Sequence, residues 1–312
     1  MADFILLSVR ECNLLRKRLG HLLALRDELV GKPDEETVHD LRVSSRRARE
    51  ILDYLQAALP ANAYDKMRRP AKNITSRLGE LRETEVNLKL SEELNQKELI
   101  PPLAAELLMH SLMKRKKKLQ QKVNKQMKSR NFSGYRKFLP RLKGSRIMLP
   151  VSPEVLQHRA EDFYNFTLHE EMNDEQLHKL RILTKKFRYA LEIYNRLLDK
   201  KIGRFILQLK RLQELLGEIH DLFVFANLVR EEASDWDAPG LKIIPEALDN
   251  AIRVVSNQKE KLYPRIRILY QRVLDNTPEG IRPAPRKEIQ TAETPASELR
   301  QTRSVSSFLK IS

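Results

Sequence analysis

A block of basic residues occurs twice in this chain, each time with helical spacing. Residues 38–49 read VHDLRVSSRRAR and residues 177–188 read LHKLRILTKKFR. His39, Arg42, Arg46 and Arg49 match His178, Arg181, Lys185 and Arg188 at a constant offset of 139 residues, with intervals of 3, 4 and 3. At roughly 100° per residue, four such side chains fall within an arc of about 80° on one helix face. Leu41, Ala48, Leu52, Leu55 and Leu59 fall on the opposite face of the first copy. Leu180, Phe187, Leu191, Tyr194 and Leu198 do so in the second. Each helix can therefore bury one side and present cations on the other. Any amphipathic helix has two faces. Here the first nine residues of each stripe lack the interspersed Glu of an ordinary solvated face, and the pattern recurs.

A second pair of blocks follows the first. LGELRETEV at 78–86 matches LGEIHDLFV at 216–224 at an offset of 138, and Lys72 and Lys210 keep that offset. The change of one residue fits a turn of different length between two helices. Repeated order, spacing and residue type argue for an internal duplication, with units far longer than a solenoid repeat. Gly79 and Gly217 read as sites of close helix packing, or of backbone bare enough to admit a phosphate chain. Glu83 and Asp221 read as acids that orient nearby cations. Asp53 and Glu192, four residues after Arg49 and Arg188, read as i,i+4 partners.

The chain is rich in Leu, Lys, Glu and Arg, with 9 Gly and 6% aromatic residues, which favours an all-α protein. The net formal charge is +16. From Leu107 to Pro153 there is no Asp or Glu among 14 Lys and Arg, including the run Lys114–Lys118. Such a field concentrates anionic partners, although a solvated helix followed by a basic linker gives the same pattern. Cys12 is the only cysteine, so no internal disulfide forms and a reduced, cytoplasmic setting is expected. The first residues read as an amphipathic helix rather than a signal peptide or membrane span.

Punctuation by Pro, Gly and capping residues predicts eight helices, at about 4–30, 35–59, 62–95, 98–129, a fifth after Pro153, then 174–199, 201–233 and 241–275. The expected organisation is a first four-helix bundle at 1–130, a basic linker at 131–152 and a second four-helix bundle at 153–276. A disordered tail is expected at 277–312, where Pro, Ser, Thr and charge dominate.

The paired H-x-x-R-x-x-x-[RK]-[RK]-x-R motif, each copy followed by an LGE block, resembles the conserved histidine α-helical domain, or CHAD. Arg188-Tyr189-Ala190-Leu191-Glu192 is similar to the family's second copy, and the resemblance covers about residues 5–275. It implies two four-helix bundles related by an internal pseudo-twofold, with a basic central surface or pore. It also implies non-catalytic binding of inorganic polyphosphate, and association with polyphosphate granules. Carried over residue by residue, the implied binding set is His39, Arg42, Arg46, Arg47, Arg49, Lys72 and Arg82. From the second copy it adds His178, Arg181, Lys185, Lys186, Arg188, Lys210 and His220. The chain departs from a strict repeat where Arg82 faces His220. No CYTH-type triphosphatase segment, a common neighbour in the family, is evident in the sequence.

The chemistry agrees with that implication. Polyphosphate carries about one negative charge per phosphate and has no bases to read, while Arg offers a planar fork and Lys a point charge. Multiple weak contacts on one chain reinforce each other, and counterion release makes binding salt-sensitive. A nucleic-acid-binding role is the alternative; its best feature is Lys114–Arg146, but the stripes have few aromatics to stack bases. A third reading is a structural adaptor acting through the tail. Glu36-x-x-His39 and Glu175-x-x-His178 have the spacing of di-iron helix bundles. Cations crowd each His, however, and the acids sit in first helical turns where the dipole favours them, so no metal is expected. The histidines can bond phosphate directly or serve structure, and can gain charge in acid. No Ser-His-Asp set, P-loop or Cys-x-x-Cys pair is present, so neither catalysis nor a cofactor is expected. The stripe cations are expected to outweigh Lys114–Lys118 per residue, because they stand on anchored helices.

Overall fold

Local capping fixes where the principal helices begin. The computed structural model describes residues 7–31, 34–128, 133–141, 154–169, 173–198, 201–235 and 243–283. Helix α1 (Val9–Gly31) opens on a reciprocal capping box: Ser8 N–H donates to the Glu11 carboxylate at 2.7 Å, and Glu11 N–H to the Ser8 hydroxyl at 3.3 Å. Helix α2 (Glu35–Tyr54) follows Asp34, whose carboxylate accepts the Thr37 N–H at 2.7 Å. Beyond it come α3 (Ala61–Arg77), α4 (Gly79–Gln96), α5 (Pro102–Met127), α6 (Ser133–Phe138) and α7 (Glu154–Tyr164). Helix α8 (Asp174–Leu198) starts after Asn173, whose side-chain oxygen accepts the Gln176 N–H at 2.8 Å. Helices α9 (Gly203–Asp235) and α10 (Ile243–Asp275) complete the all-α fold.

The expected apolar faces are buried. Leu41, Ala48, Leu52, Leu55 and Leu59 enter one core with α1, α3 and the C-terminal end of α5. Leu180, Phe187 and Leu191 enter a second with α7, α9 and α10, and Tyr194 packs against it. Burying each such side chain contributes on the order of 1.5–3 kcal/mol. The two cores do not divide at residue 130. Leu94 of α4 and Ala104, Ala105 and Leu108 of α5 belong to the second core, whereas Val123 and Met127 belong to the first. Helix α5 thus crosses from one core to the other, and Ile193 and Leu197 of α8 reach back into the first. The described helices form one compact unit.

Three local expectations need correction. The helix expected at 62–95 is two, interrupted at Leu78 ahead of Gly79, a residue type that holds a helix poorly. The matching Gly217 lies inside the uninterrupted α9. A Cβ added to either glycine meets nothing within 4 Å, so neither one enables close packing. The segment expected as a linker is in part helical and packed: Tyr135 of α6 is fully buried and donates its hydroxyl to the Met67 carbonyl. Residues 142–152 of that linker lie outside the described residues. Order also continues past 276. The Thr277 hydroxyl bonds that of Tyr164, and Ile281 is buried in the second core. The rest of the expected tail, 284–312, lies outside the described residues. Among the described residues no helix is long and apolar enough to cross a membrane.

Candidate functional site

Helix α2 packs against α8, and α4 against α9, where the two halves of the sequence meet. A cavity of about 200 Å³ lies there, lined by His39, Arg42 and Arg46 of α2, by Arg82, Glu83, Val86 and Asn87 of α4, by Arg181 of α8, and by His220, Asp221 and Val224 of α9. Its walls come from matching places in the two copies: Arg42 with Arg181, Arg82 with His220, Glu83 with Asp221, Val86 with Val224. Four guanidinium groups, two imidazoles and two carboxylates converge on one small volume.

Three of the four arginines of this cavity, Arg42, Arg46 and Arg181, are held without an ion pair among the described residues. The Nε–H groups of Arg42, Arg46 and Arg181, and of Arg47 and Arg49 on α2 outside the cavity lining, are buried and donate to no hydrogen-bond partner. Among the described residues none of these five, nor Lys185, forms an ion pair. Each unsatisfied buried group costs about 1–3 kcal/mol, and native proteins leave few of them. Three of them, on Arg42, Arg46 and Arg181, belong to side chains that line one volume, an arrangement in which an anion can supply the missing acceptors.

The protonation equilibria carry the same imprint. Burial, then Arg46, Arg181 and Arg82, lowers the Arg42 pKa to about 10. Burial, then Arg181, Arg46, Arg42 and Arg49, brings Lys185 down to about 7. His220 is pushed down to about 4 by burial and by Arg181, His178, Lys185 and Arg42. Its ring centroid lies 5.1 Å from that of His178. His39 and His178 are exposed, and partial burial with neighbouring cations lowers both: Arg82 foremost for His39, Arg181 and Lys185 for His178. The histidines are therefore neutral near pH 7 and can donate one N–H each. Asp221 shifts the other way: burial raises it, against the pull of Arg181, Arg82 and Arg42.

Not every residue in the implied set joins this cluster. Arg82 is in it but also pairs with Glu85 at 3.6 Å. Lys185 is coupled to it without lining the cavity. Arg47 faces α1, where it lowers the Arg18 pKa after burial and Arg196. Lys186 and Arg159 both act on Glu50, beside Arg49, although burial still raises that carboxyl. Arg188 turns inward. It is 6% exposed, donates from Nε to Gln213 Oε1 at 2.9 Å, pairs with Glu192 and lies 4.6 Å over the Tyr189 ring. Lys72 and Lys210 are exposed on α3 and α9, and Lys210 lies 3.6 Å from Glu214. Glu192 thus takes the expected i,i+4 partner, but Asp53 does not. Asp53 accepts from Arg68 Nε at 2.5 Å and from the Tyr64 hydroxyl at 2.7 Å, and Arg49 forms no ion pair with it. Lys114–Lys118 stand on the continuous helix α5, and Lys116 is paired with Glu35.

Arg18, Arg159 and Arg196 escaped the sequence reading, because the repeat gives no signal for them; Gln157 stands where a copy of Arg18 would be. Asn87 was findable. Its repeat partner is Phe225, a fully buried core residue. A polar residue at an apolar position of a repeat marks a local change of use, and Asn87 indeed lines the cavity with a buried, unpartnered Oδ1. Among the described residues no group of three or more His, Cys, Asp or Glu is arranged to hold a metal ion.

Comparison with known proteins places this architecture. The fold is similar to that of PptA from Streptomyces chartreusis, with a TM-score of 0.63 at 16% identity over 85% of this chain and 98% of that one. It is equally similar to the crystal structure of the CHAD domain from the plant Ricinus communis, with a TM-score of 0.63 at 23% identity over 87% and 94%. No curated protein matches the sequence. The sequence model of the CHAD domain matches residues 13–230, a span that contains both basic stripes, both LGE blocks and all the walls of the cavity between them. By that match over most of its length, this chain belongs to the CHAD domain family.

Proposed function

We propose that this protein binds inorganic polyphosphate without transforming it, at the cavity between α2, α4, α8 and α9. CHAD domains are associated with polyphosphate binding in general. What carries the reading in this chain is the set of partnerless cations drawn from both halves of the sequence. Arg42, Arg46 and Arg181 face one volume with no acid bonded to them. A chain of phosphates supplies the missing acceptors, at about 1.5–3 kcal/mol for each charge-assisted bond where solvent is excluded. Neutral His39 and His220, with His178 beside the latter, add directional N–H donors without adding repulsion. No Phe, Tyr or Trp lines this small cavity, so it offers little surface for base stacking, which weighs against nucleic acid. Two members of the basic run, Lys116 and Lys122, are engaged by Glu35 and Glu80. The role follows as a binding module of the cytoplasm that brings its protein to polyphosphate granules.

The test is a competition at fixed ionic strength between linear polyphosphate and double-stranded DNA at matched charge. Polyphosphate should displace DNA at least tenfold more effectively than the reverse. Equal or better binding of DNA overturns the proposal. Granule association is checked by imaging a fluorescent fusion in cells with and without stored polyphosphate.

A further inference from the structure

Resting on the polyphosphate reading, we infer that the cavity receives the end of a linear polyphosphate chain rather than an internal stretch. The inference comes from what surrounds the cavity. Two further cavities adjoin it along α4 and α9, and both are acidic. One, about 200 Å³, shares Glu83 and Asn87 with the cationic cavity and adds Glu231, with Arg115 as its sole cation. The other, about 270 Å³, shares Arg82 and Asp221 and adds Glu35, Glu85, Glu93 and Glu218 against Lys89. Glu83 thus stands at one threshold and Asp221 at the other. Glu35, Glu85 and Glu93 are already paired with Lys116, Arg82 and Lys89. A phosphate chain that passed a threshold would therefore leave unpaired arginines for Glu83 and Glu231 on one side, or for Asp221 and Glu218 on the other.

One direction remains cationic. Beyond Arg46 the stripe continues to Lys185 and to Arg49, which is close enough to Lys185 to disfavour its charge. Lys186 and Arg159 follow, where they act on Glu50. With one basic approach and two acidic exits, the chain enters along α2 and α8 and stops. A terminal phosphate suits the stop, since near pH 7 it carries about one more negative charge than an internal unit. The densest cation cluster then meets the densest negative charge on the ligand.

The test titrates the full chain calorimetrically with linear polyphosphates of two defined lengths, and with the longer one blocked at both termini as phosphoramidates of a neutral amine. The expected result is at most two proteins per chain at both lengths, and at least tenfold weaker binding of the blocked polymer. Cyclic trimetaphosphate, which has no end, should compete more weakly than linear tripolyphosphate. Stoichiometry that grows in proportion to length, with blocked and free polymer equal, overturns the inference while leaving polyphosphate binding intact. Absence of binding to any linear polyphosphate overturns the proposed function itself, and so the two failures differ. A second arm uses Glu83→Gln with Asp221→Asn, checked for helicity. Opening both thresholds should raise affinity for the blocked polymer severalfold, and no change in that affinity counts against the inference.

Discussion

Arg49 on α2 and Arg188 on α8 close the two stripes at matching positions, each with an acid four residues later. In the first copy Arg68 and Tyr64 claim that acid, Asp53, and Arg49 keeps a buried, unpartnered Nε. In the second copy Glu192 and Gln213 claim the arginine, and Arg188 disappears into the interior. An asymmetry recurs at two further matched positions. Where the first half has Arg46 and Arg82 the second has Lys185 and His220, with pKa values near 7 and 4. Arg42 and Arg181 match in type, but at these two other positions the second copy is the titratable side. Equal spacing in sequence does not assign equal roles.

The largest effect that would break this comparison is charge reversal across the seam. Arg42→Glu with Arg181→Glu removes one partnerless arginine from each half. At about 1.5–3 kcal/mol per contact, polyphosphate affinity should fall by roughly 100- to 10,000-fold, measured by titration, while circular dichroism stays unchanged. A loss below tenfold would remove the site from this cavity.

The pair of arginines that closes the stripes sharpens it next. Arg188→Ala breaks a buried pair and should cost about 3–5 kcal/mol of stability, read as a lower midpoint in urea. Arg49→Ala should leave that midpoint nearly unchanged and weaken polyphosphate binding about tenfold, as one charge-assisted contact is lost. The opposite pattern would mean that the second copy, not the first, presents its last arginine to the ligand.

The titratable side gives a signed pH dependence. Lys185 ionises near 7 in the folded protein against 10.5 ordinarily, so between those values the unfolded chain binds more protons. Stability of the unliganded protein should therefore rise as pH rises from about 7 towards 10. Bound phosphate reverses the pull by favouring the protonated amine. Affinity should accordingly rise as pH falls from 8 to 6, with up to about one proton taken up per site. Calorimetry in buffers of different ionisation enthalpy measures that uptake, and Lys185→Arg should abolish it in this range.

The smallest effect is expected from α5. Lys116→Ala and Lys122→Ala remove ion pairs with Glu35 and Glu80 that are partly or largely in solvent. Each should change stability by less than about 1 kcal/mol. Their influence on binding should appear in the association rate and its salt dependence.

Much of this was legible because it is local. The 3, 4 and 3 spacing placed His39, Arg42, Arg46 and Arg181 on helix faces opposite Leu41, Leu52, Leu180 and Leu191, and the cavity and the two cores lie where that geometry requires. The matched LGE blocks placed Arg82 with His220 and Glu83 with Asp221, and all four line one cavity. The boundary at Leu78 was not legible, since the Gly that follows it is tolerated inside α9 and not between α3 and α4. The crossing of α5 between cores was hidden too, because its apolar face has one period throughout and nothing in it says which neighbour each turn will meet.

The sequence by itself determined the helices, their two-faced character and the twofold recurrence of a cationic face, because periodicity, caps and charge act within a few turns of chain. Only the tertiary structure decided which cations remain available. Arg68 reaches Asp53 from α3, Gln213 reaches Arg188 from α9, and Glu35 reaches Lys116 across 81 residues. A charge is free or engaged according to neighbours supplied by distant segments, and no spacing along one helix encodes them.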